Sequence, residues 1–172
     1  CAVSTHNGEE KICAEAHQKL KKKYKKLLTV IIPRHVHRVN DIYKEILDMG
    51  FKVQIHSKKS KIKKDTDIYL VDTYGETKSF FKICNTVFLG GSIVNHGGQN
   101  PLEPARFGCK ILHGPNIQNF TEVYRLLNKE NLSFKFYNTN QLAKSVNQSL
   151  NQNINFSKKI TKLKRIGSNI LN

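Results

Sequence analysis

Ser92, His96, Gln99, Asn100 and Glu103 lie within a dozen residues of one another, interleaved with two glycine pairs, Gly90–Gly91 and Gly97–Gly98. The stretch reads VFLGGSIVNHGGQNPLEPARFGCKILHGPNIQNF from Val87 to Phe120. A short apolar run, a loop of small residues and a proline-flanked helix start are the parts of a phosphate or nucleotide site at the carboxyl edge of a parallel sheet. Glycine lets a ligand approach the backbone closely, and a helix N-terminus offers unpaired N–H donors. A plain glycine-rich turn explains the glycines equally well, but it does not need Ser, His, Gln, Asn and Glu beside them. Neither a G-x-G-x-x-G fingerprint nor a Walker lysine motif is present, which argues against dinucleotide-binding and P-loop proteins.

Three other polar clusters follow apolar runs: Ser4–Glu10 (STHNGEE), Pro33–Arg34–His35, and Asp72–Thr73–Tyr74–Gly75–Glu76. Arg34 offers a fork of donors to a phosphate with His35 beside it, or else it makes a surface ion pair. His37 and Arg38 are read as supporting or exposed. Glu103 suits a vicinal diol such as a ribose, with Asn100 sharing that role, or it complements a helix dipole. Gly90, Gly91 and Ser92 are expected to bring N–H donors and a hydroxyl to a phosphate or a sugar carboxylate, with His96, Gly97 and Gly98 completing the loop. Asp72, Thr73, Gly75 and Glu76 shape a base or sugar pocket or merely cap a helix. Ser4 and His6 are the weakest candidates, and Glu9 and Glu10 are read as acids at a helix start. The seven histidines lack metal-ligand spacing, and no serine nucleophile elbow is present.

Strand and helix alternate. Apolar runs at Leu27–Ile32, Phe51–Ile55, Ile68–Val71, Val87–Leu89, Lys110–Leu112 and Phe134–Tyr137 predict strands, and Cys1–Val3 predicts the end of another. Helical patterns run from Gly8 to about Tyr24, with Thr5 or Asn7 as cap, from His37 to Met49, up to Ile83, over Leu102–Phe107 and Asn119–Asn128, and from Gln141 to the C-terminus. Alternation predicts an α/β fold, a parallel sheet covered on both faces. Right-handed crossovers put every strand-to-helix loop at one edge, so the four polar clusters should converge on one crevice there.

At 172 residues the chain suits one domain. No apolar run approaches the about 20 residues that span a bilayer. Four cysteines without C-x-x-C pairing read as reduced thiols, with Cys84 and Cys109 in apolar runs. Net charge is +16, concentrated in Lys19–Lys26, Lys58–Lys64 and Lys158–Arg165. This favours polyanionic partners, namely nucleic acid, an anionic membrane surface or phosphorylated substrates, or it reflects a coding bias toward Lys, Asn and Ile. Because the aromatics sit in apolar runs, a nucleic-acid module is the lesser alternative, beside a non-catalytic membrane-surface domain.

The segment GGSIVNHGGQNPLEPA resembles the signature of the Kdo transferases, which add 3-deoxy-D-manno-octulosonic acid to the lipid A precursor of lipopolysaccharide. The Ser4–Glu10, Pro33–His35 with Arg38, Asp72–Glu76, Gly114–Pro115 and Asn119–Phe120 segments fit the same family in order, over about residues 1–130. Asn95 stands where the family often has Pro, and Gln99 where it often has His. The resemblance implies the Rossmann-like C-terminal half of a two-domain GT-B glycosyltransferase, a donor-binding domain over 1–172 with a helical segment from about 141. It implies CMP-Kdo as donor substrate and no cofactor, with Arg34 against the CMP part and Glu103 on the ribose. The acceptor domain and its general-base carboxylate are expected outside this chain, which is then a fragment. The resemblance also implies work at the cytoplasmic face of the bacterial inner membrane, with the anionic surface as a partner and no nucleic acid.

Overall fold

The computed structural model describes residues 1–58 and 60–151. The basic stretch at 158–165 and the rest of the expected C-terminal helical segment lie outside them. Seven strands form one sheet: β1 (Ala2–Thr5), β2 (Thr29–Pro33), β3 (Val53–Ile55), β4 (Ile68–Leu70), β5 (Thr86–Leu89), β6 (Lys110–His113) and β7 (Ser133–Lys135). Among the described residues six α-helices accompany them: α1 (Glu9–Lys21), α2 (Val39–Asp48), α3 (Thr77–Ile83), α4 (Leu102–Arg106), α5 (Thr121–Lys129) and α6 (Thr139–Asn151). The sheet order is β3-β4-β2-β1-β5-β6-β7, and every pairing is parallel. Among the described residues no helix is long and apolar enough to cross a membrane.

Continuous apolar strands arise because both faces of the sheet are covered. Alternate residues face opposite layers. Ile31, Ile68, Leu70, Phe88 and Leu112 pack with α1, α2 and α6. Val30, Ile32, Tyr69, Val71, Val87, Leu89 and Ile111 pack with α3, α4 and α5. Burying a side chain of this size contributes roughly 1.5–3 kcal/mol, so each layer is anchored several times over. The helix distribution follows from crossover handedness. The helices α1 and α2 leave strands stepping one way across the sheet, whereas α3, α4 and α5 leave strands stepping the other way. Among the described residues the connection from β3 to β4 holds no α-helix, only a 3-10 turn (His56–Lys58) and the lysine-rich loop.

The direction of stepping reverses between β1 and β5, which are neighbours in the sheet. Their carboxyl ends therefore bound the topological switch point, where open α/β sheets bind ligands.

His113, at the end of β6, is buried against the Tyr124 ring at 4.4 Å, and its Nδ1 donates to the Gly114 carbonyl at 2.7 Å. Burial pushes its pKa from 6.5 down to about 4, against the pull of that carbonyl. Because the folded value lies below the unfolded one, the unfolded chain binds the proton more readily between them. The fold is therefore unpenalised above pH 6.5 and loses stability as pH falls toward 4, by on the order of 3 kcal/mol from this residue. Urea unfolding midpoints measured from pH 7 to pH 4 should fall less steeply in His113→Asn than in the wild type. Identical slopes would contradict the assignment.

Candidate functional site

The loops after β1, β2 and β5 meet at the switch point. At its centre His6 stacks on His96, ring centroids 4.2 Å apart. The His6 ring meets His35 edge-on at 5.9 Å, and His35 lies 5.5 Å from His37. Four imidazoles from three loops thus form a contiguous array. Burial lowers the His6 pKa, and His96, His35 and Arg38 lower it further while Glu9 opposes them. The Nε2 of His6 is shielded from solvent and has no hydrogen-bond partner among the described residues. At neutral pH, His6 is therefore an uncharged ring with an unused polar atom inside the crevice.

Arg34 is exposed beside this array, its backbone N–H tied to the Thr5 carbonyl at 3.0 Å. Its guanidinium makes no ion pair among the described residues, so the ion-pair alternative does not hold. Arg38 takes that role instead. It grips Glu10 through two N–H groups, at 3.0 and 3.3 Å, while Thr5 Oγ1 donates to the same carboxylate at 2.9 Å. Glu10 is fully buried.

The glycine loop departs from expectation. Gly91, Ser92 and Ile93 do turn their N–H groups inward together, but toward Glu9 of the same chain. The fully buried Glu9 carboxylate accepts from Gly91 at 2.8 Å, Ser92 at 3.1 Å and Ile93 at 3.0 Å, and from His6 at 2.9 Å. The Ser92 hydroxyl is also spent internally: it donates to Leu89 O at 2.6 Å and accepts from Gly114 N at 2.9 Å. These donors, assigned from sequence to a bound anion, are already satisfied by the protein. Glu9 and Glu10 are correspondingly more than helix-dipole acids, and neither Thr5 nor Asn7 caps α1, whose cap is Gly8 in the left-handed conformation.

Gly97 and Gly98 shape the rest of the loop, with Gly98 N bonded to Gly91 O at 2.9 Å. Asn119 holds it from outside, its backbone N–H on Gly97 O at 3.1 Å and its side chain on His96 O at 3.2 Å. Ser4, at the end of β1, has φ 54°, an uncommon value for a non-glycine residue, at a register shift in the β1–β2 pairing.

Glu103 and Asn100 sit at the start of α4, where the Asn100 side chain accepts from Leu102 N at 3.0 Å. Glu103 is exposed, 3.8 Å from Lys78 on α3. The Asp72–Glu76 loop lies at the same sheet edge after β4. Asp72 is tied to the backbone and hydroxyl of Ser57, Glu76 faces His56 at 3.8 Å, and Gly75 is exposed. Thr73 Oγ1 is shielded and has no hydrogen-bond partner among the described residues. Among the described residues no hydrogen bond or ion pair joins Glu103 or this loop to the imidazole array. The edge thus carries two clusters, an anion-suited one at β1/β2/β5 and a carboxylate-bearing one at α3/α4. Among the described residues, no group of three or more His, Cys, Asp and Glu is placed to hold a metal ion.

The sequence shows Glu9 and Glu10 only as acids at a helix start, not as buried anchors, and does not single out Lys78. A signal for the first two existed. The buried stripe of α1 runs through Leu20, His17, Ala16, Ala14 and Cys13, and stepping back one further turn reaches Glu10 and Glu9. Acids on the buried face of a helix need partners inside the fold.

No protein-family model matches the chain. It is 37% identical over 126 residues to the 3-deoxy-D-manno-octulosonic acid transferase of Haemophilus influenzae, covering 73% of this chain and 30% of that protein. It is 30% identical over 149 residues to the Aquifex aeolicus enzyme of the same name, covering 87% of this chain and 41% of that protein. The chain thus spans less than half the length of these relatives. Its fold matches the C-terminal CMP-Kdo binding domain of WaaA from Acinetobacter baumannii, with TM-score 0.87, 23% identity and coverage of 96% of this chain and 86% of that one. Sequence over most of the chain and fold over nearly all of it agree: over this length the chain is similar to part of the 3-deoxy-D-manno-octulosonic acid transferases.

Proposed function

We propose that this chain is the donor-binding domain of a Kdo transferase and binds CMP-Kdo at the β1/β5 switch point. The observation that carries the reading is the array of His6, His96 and His35 beside an uncommitted Arg34, at the edge where α/β sheets take nucleotides. Since Glu9 takes the loop N–H groups, the anionic groups of the donor are met by side chains. Arg34 supplies a charge and a fork of donors, and the imidazoles supply single hydrogen bonds. Glu103 and Asn100 take the ribose hydroxyls, and the Asp72–Glu76 loop borders the base or sugar.

In the whole protein this domain presents CMP-Kdo to a hydroxyl of the lipid A precursor. A carboxylate base outside this chain deprotonates that hydroxyl, and the site described here stabilises the departing CMP phosphate. The exposed Lys19, Lys22, Lys23, Lys25 and Lys26, with Lys58, Lys61, Lys63 and Lys64, suit the anionic cytoplasmic face of the inner membrane.

Titrating the purified chain with CMP, AMP and UMP at low and physiological salt tests the reading. CMP should bind selectively, and Arg34→Ala and Glu103→Ala should each weaken it by about tenfold, the loss of one charge-assisted hydrogen bond. The chain alone should transfer no Kdo. Equal, salt-sensitive binding of all three nucleotides would reduce the site to a basic surface.

A further inference from the structure

We infer that Glu9 is a positioning residue, an internal anion that fixes the β5 loop against the β1 loop and thereby holds His6 and His96 in their stack. Two features carry this. First, one carboxylate collects four backbone N–H groups from the two loops flanking the switch point, His6 on one side and Gly91, Ser92 and Ile93 on the other. Three consecutive N–H groups converging on one point form an anion nest. Here the anion is covalently part of α1 and 0% exposed, so it is present before any ligand arrives. Secondly, the two loops so joined carry the two stacked rings. His6 is itself one of the four N–H donors, and a Cβ at Gly91 would lie 3.3 Å from its ring. Ile93 precedes His96 by three residues, in a loop knit further by Asn116 N to Ser92 O and Asn116 Nδ2 to Ile93 O, both at 2.9 Å. Releasing the nest frees one side of that loop and one side of the His6 turn together.

A helix-start acid complementing the dipole would be solvated and dispensable. Glu9 is neither, and the amide isostere cannot replace it: Gln offers one carbonyl oxygen and turns an NH2 toward donors. Charge-assisted bonds of this kind are roughly twice as strong as neutral ones, so their loss is felt locally even where the sheet persists.

The test is amide hydrogen exchange and histidine ring NMR on the wild-type chain and on Glu9→Gln. In the wild type the Gly91, Ser92 and Ile93 amides should be protected. In Glu9→Gln their exchange should speed up by about tenfold or more, the loss of one to two charge-assisted bonds. The amides of Val30 and Ile31 should keep their protection, and the His6 and His96 ring signals should move together toward unstacked values. On the donor-site reading above, CMP affinity should fall in parallel. Unprotected 91–93 amides in the wild type would overturn the inference, as would unchanged ring signals in the variant. Loss of Val30 and Ile31 protection in step with the loop would also overturn it, because Glu9 would then support the whole fold rather than the site. If the wild type binds no CMP, the donor reading falls, while the amide and ring measurements still decide the role of Glu9.

Discussion

Arg38→Ala is expected to destabilise the domain by about 3–5 kcal/mol, the cost of stranding a buried charge. The Glu10 carboxylate has no exposed surface, and the Arg38 side chain is only 19% exposed. With Arg38 gone, Glu10 keeps one hydroxyl bond from Thr5 and loses its counter-charge. The damage should exceed the lost pair's own worth, because desolvation of Glu10 is no longer offset. A double-mutant cycle separates the two. Glu10→Gln in the Arg38→Ala background should recover much of the loss, since a neutral amide is cheaper to bury than an unpaired carboxylate. Arg38→Lys keeps a charge but not the fork to both Glu10 oxygens, and should fall between. Denaturant unfolding of five proteins, the wild type, Arg38→Ala, Glu10→Gln, the double variant and Arg38→Lys, is the measurement. A loss below about 1 kcal/mol for Arg38→Ala, the scale of a surface pair, would show that Glu10 is not held as described.

The contrast between Arg34 and Arg38 shows where sequence reading stops. Both follow the same buried strand, and both carry the same group. Which one is free for a ligand depends on Glu10, which lies far upstream in sequence and reaches Arg38 only because β1 and β2 are neighbours. The strands themselves were legible, because a doubly covered parallel sheet requires continuous apolar runs such as Leu27–Ile32. That the polar loops share one edge was legible too, because in a parallel sheet every strand ends at the same edge; that they divide into two clusters there, rather than one crevice, was not. The destination of the glycine-loop N–H groups was not. Local pattern shows that Gly91 and Ser92 can turn inward, but their acceptor is set by the packing of α1. The separation of Glu103 from the imidazole array was hidden for a related reason. The ion partner of Glu103, Lys78, belongs to α3, which follows β4 rather than β1, β2 or β5.

Gly90→Ala should be as damaging as any single substitution at this edge, for a reason of space rather than conformation. Gly90 is not among the glycines with positive φ. A Cβ there would stand 2.6 Å from Thr5 Cα and 2.7 Å from Glu9 Oε2, and closer still to the Ser4 carbonyl oxygen. Two of these atoms are backbone and the third is the fixed carboxylate of the nest, so no flexible side chain can yield. Ser4 already sits at positive φ, which leaves the end of β1 little freedom to retreat. Relief requires the carboxyl ends of β1 and β5 to part, breaking the Gly90 N to Val3 O bond of 2.9 Å and pulling the nest from Glu9. Overpacking of this kind costs about 3 kcal/mol or more. In a domain of this size that lowers the melting temperature by roughly 6–12 °C. Gly75→Ala is the control. Gly75 has φ +84° with nothing within 4 Å of a Cβ, so that variant bears only the left-handed backbone penalty of about 1 kcal/mol. Thermal melts of the two variants should differ accordingly, and CMP binding should be lost in Gly90→Ala even at temperatures where it remains folded. Equal melting temperatures would mean that β1 and β5 are not packed as closely at the switch point as described here.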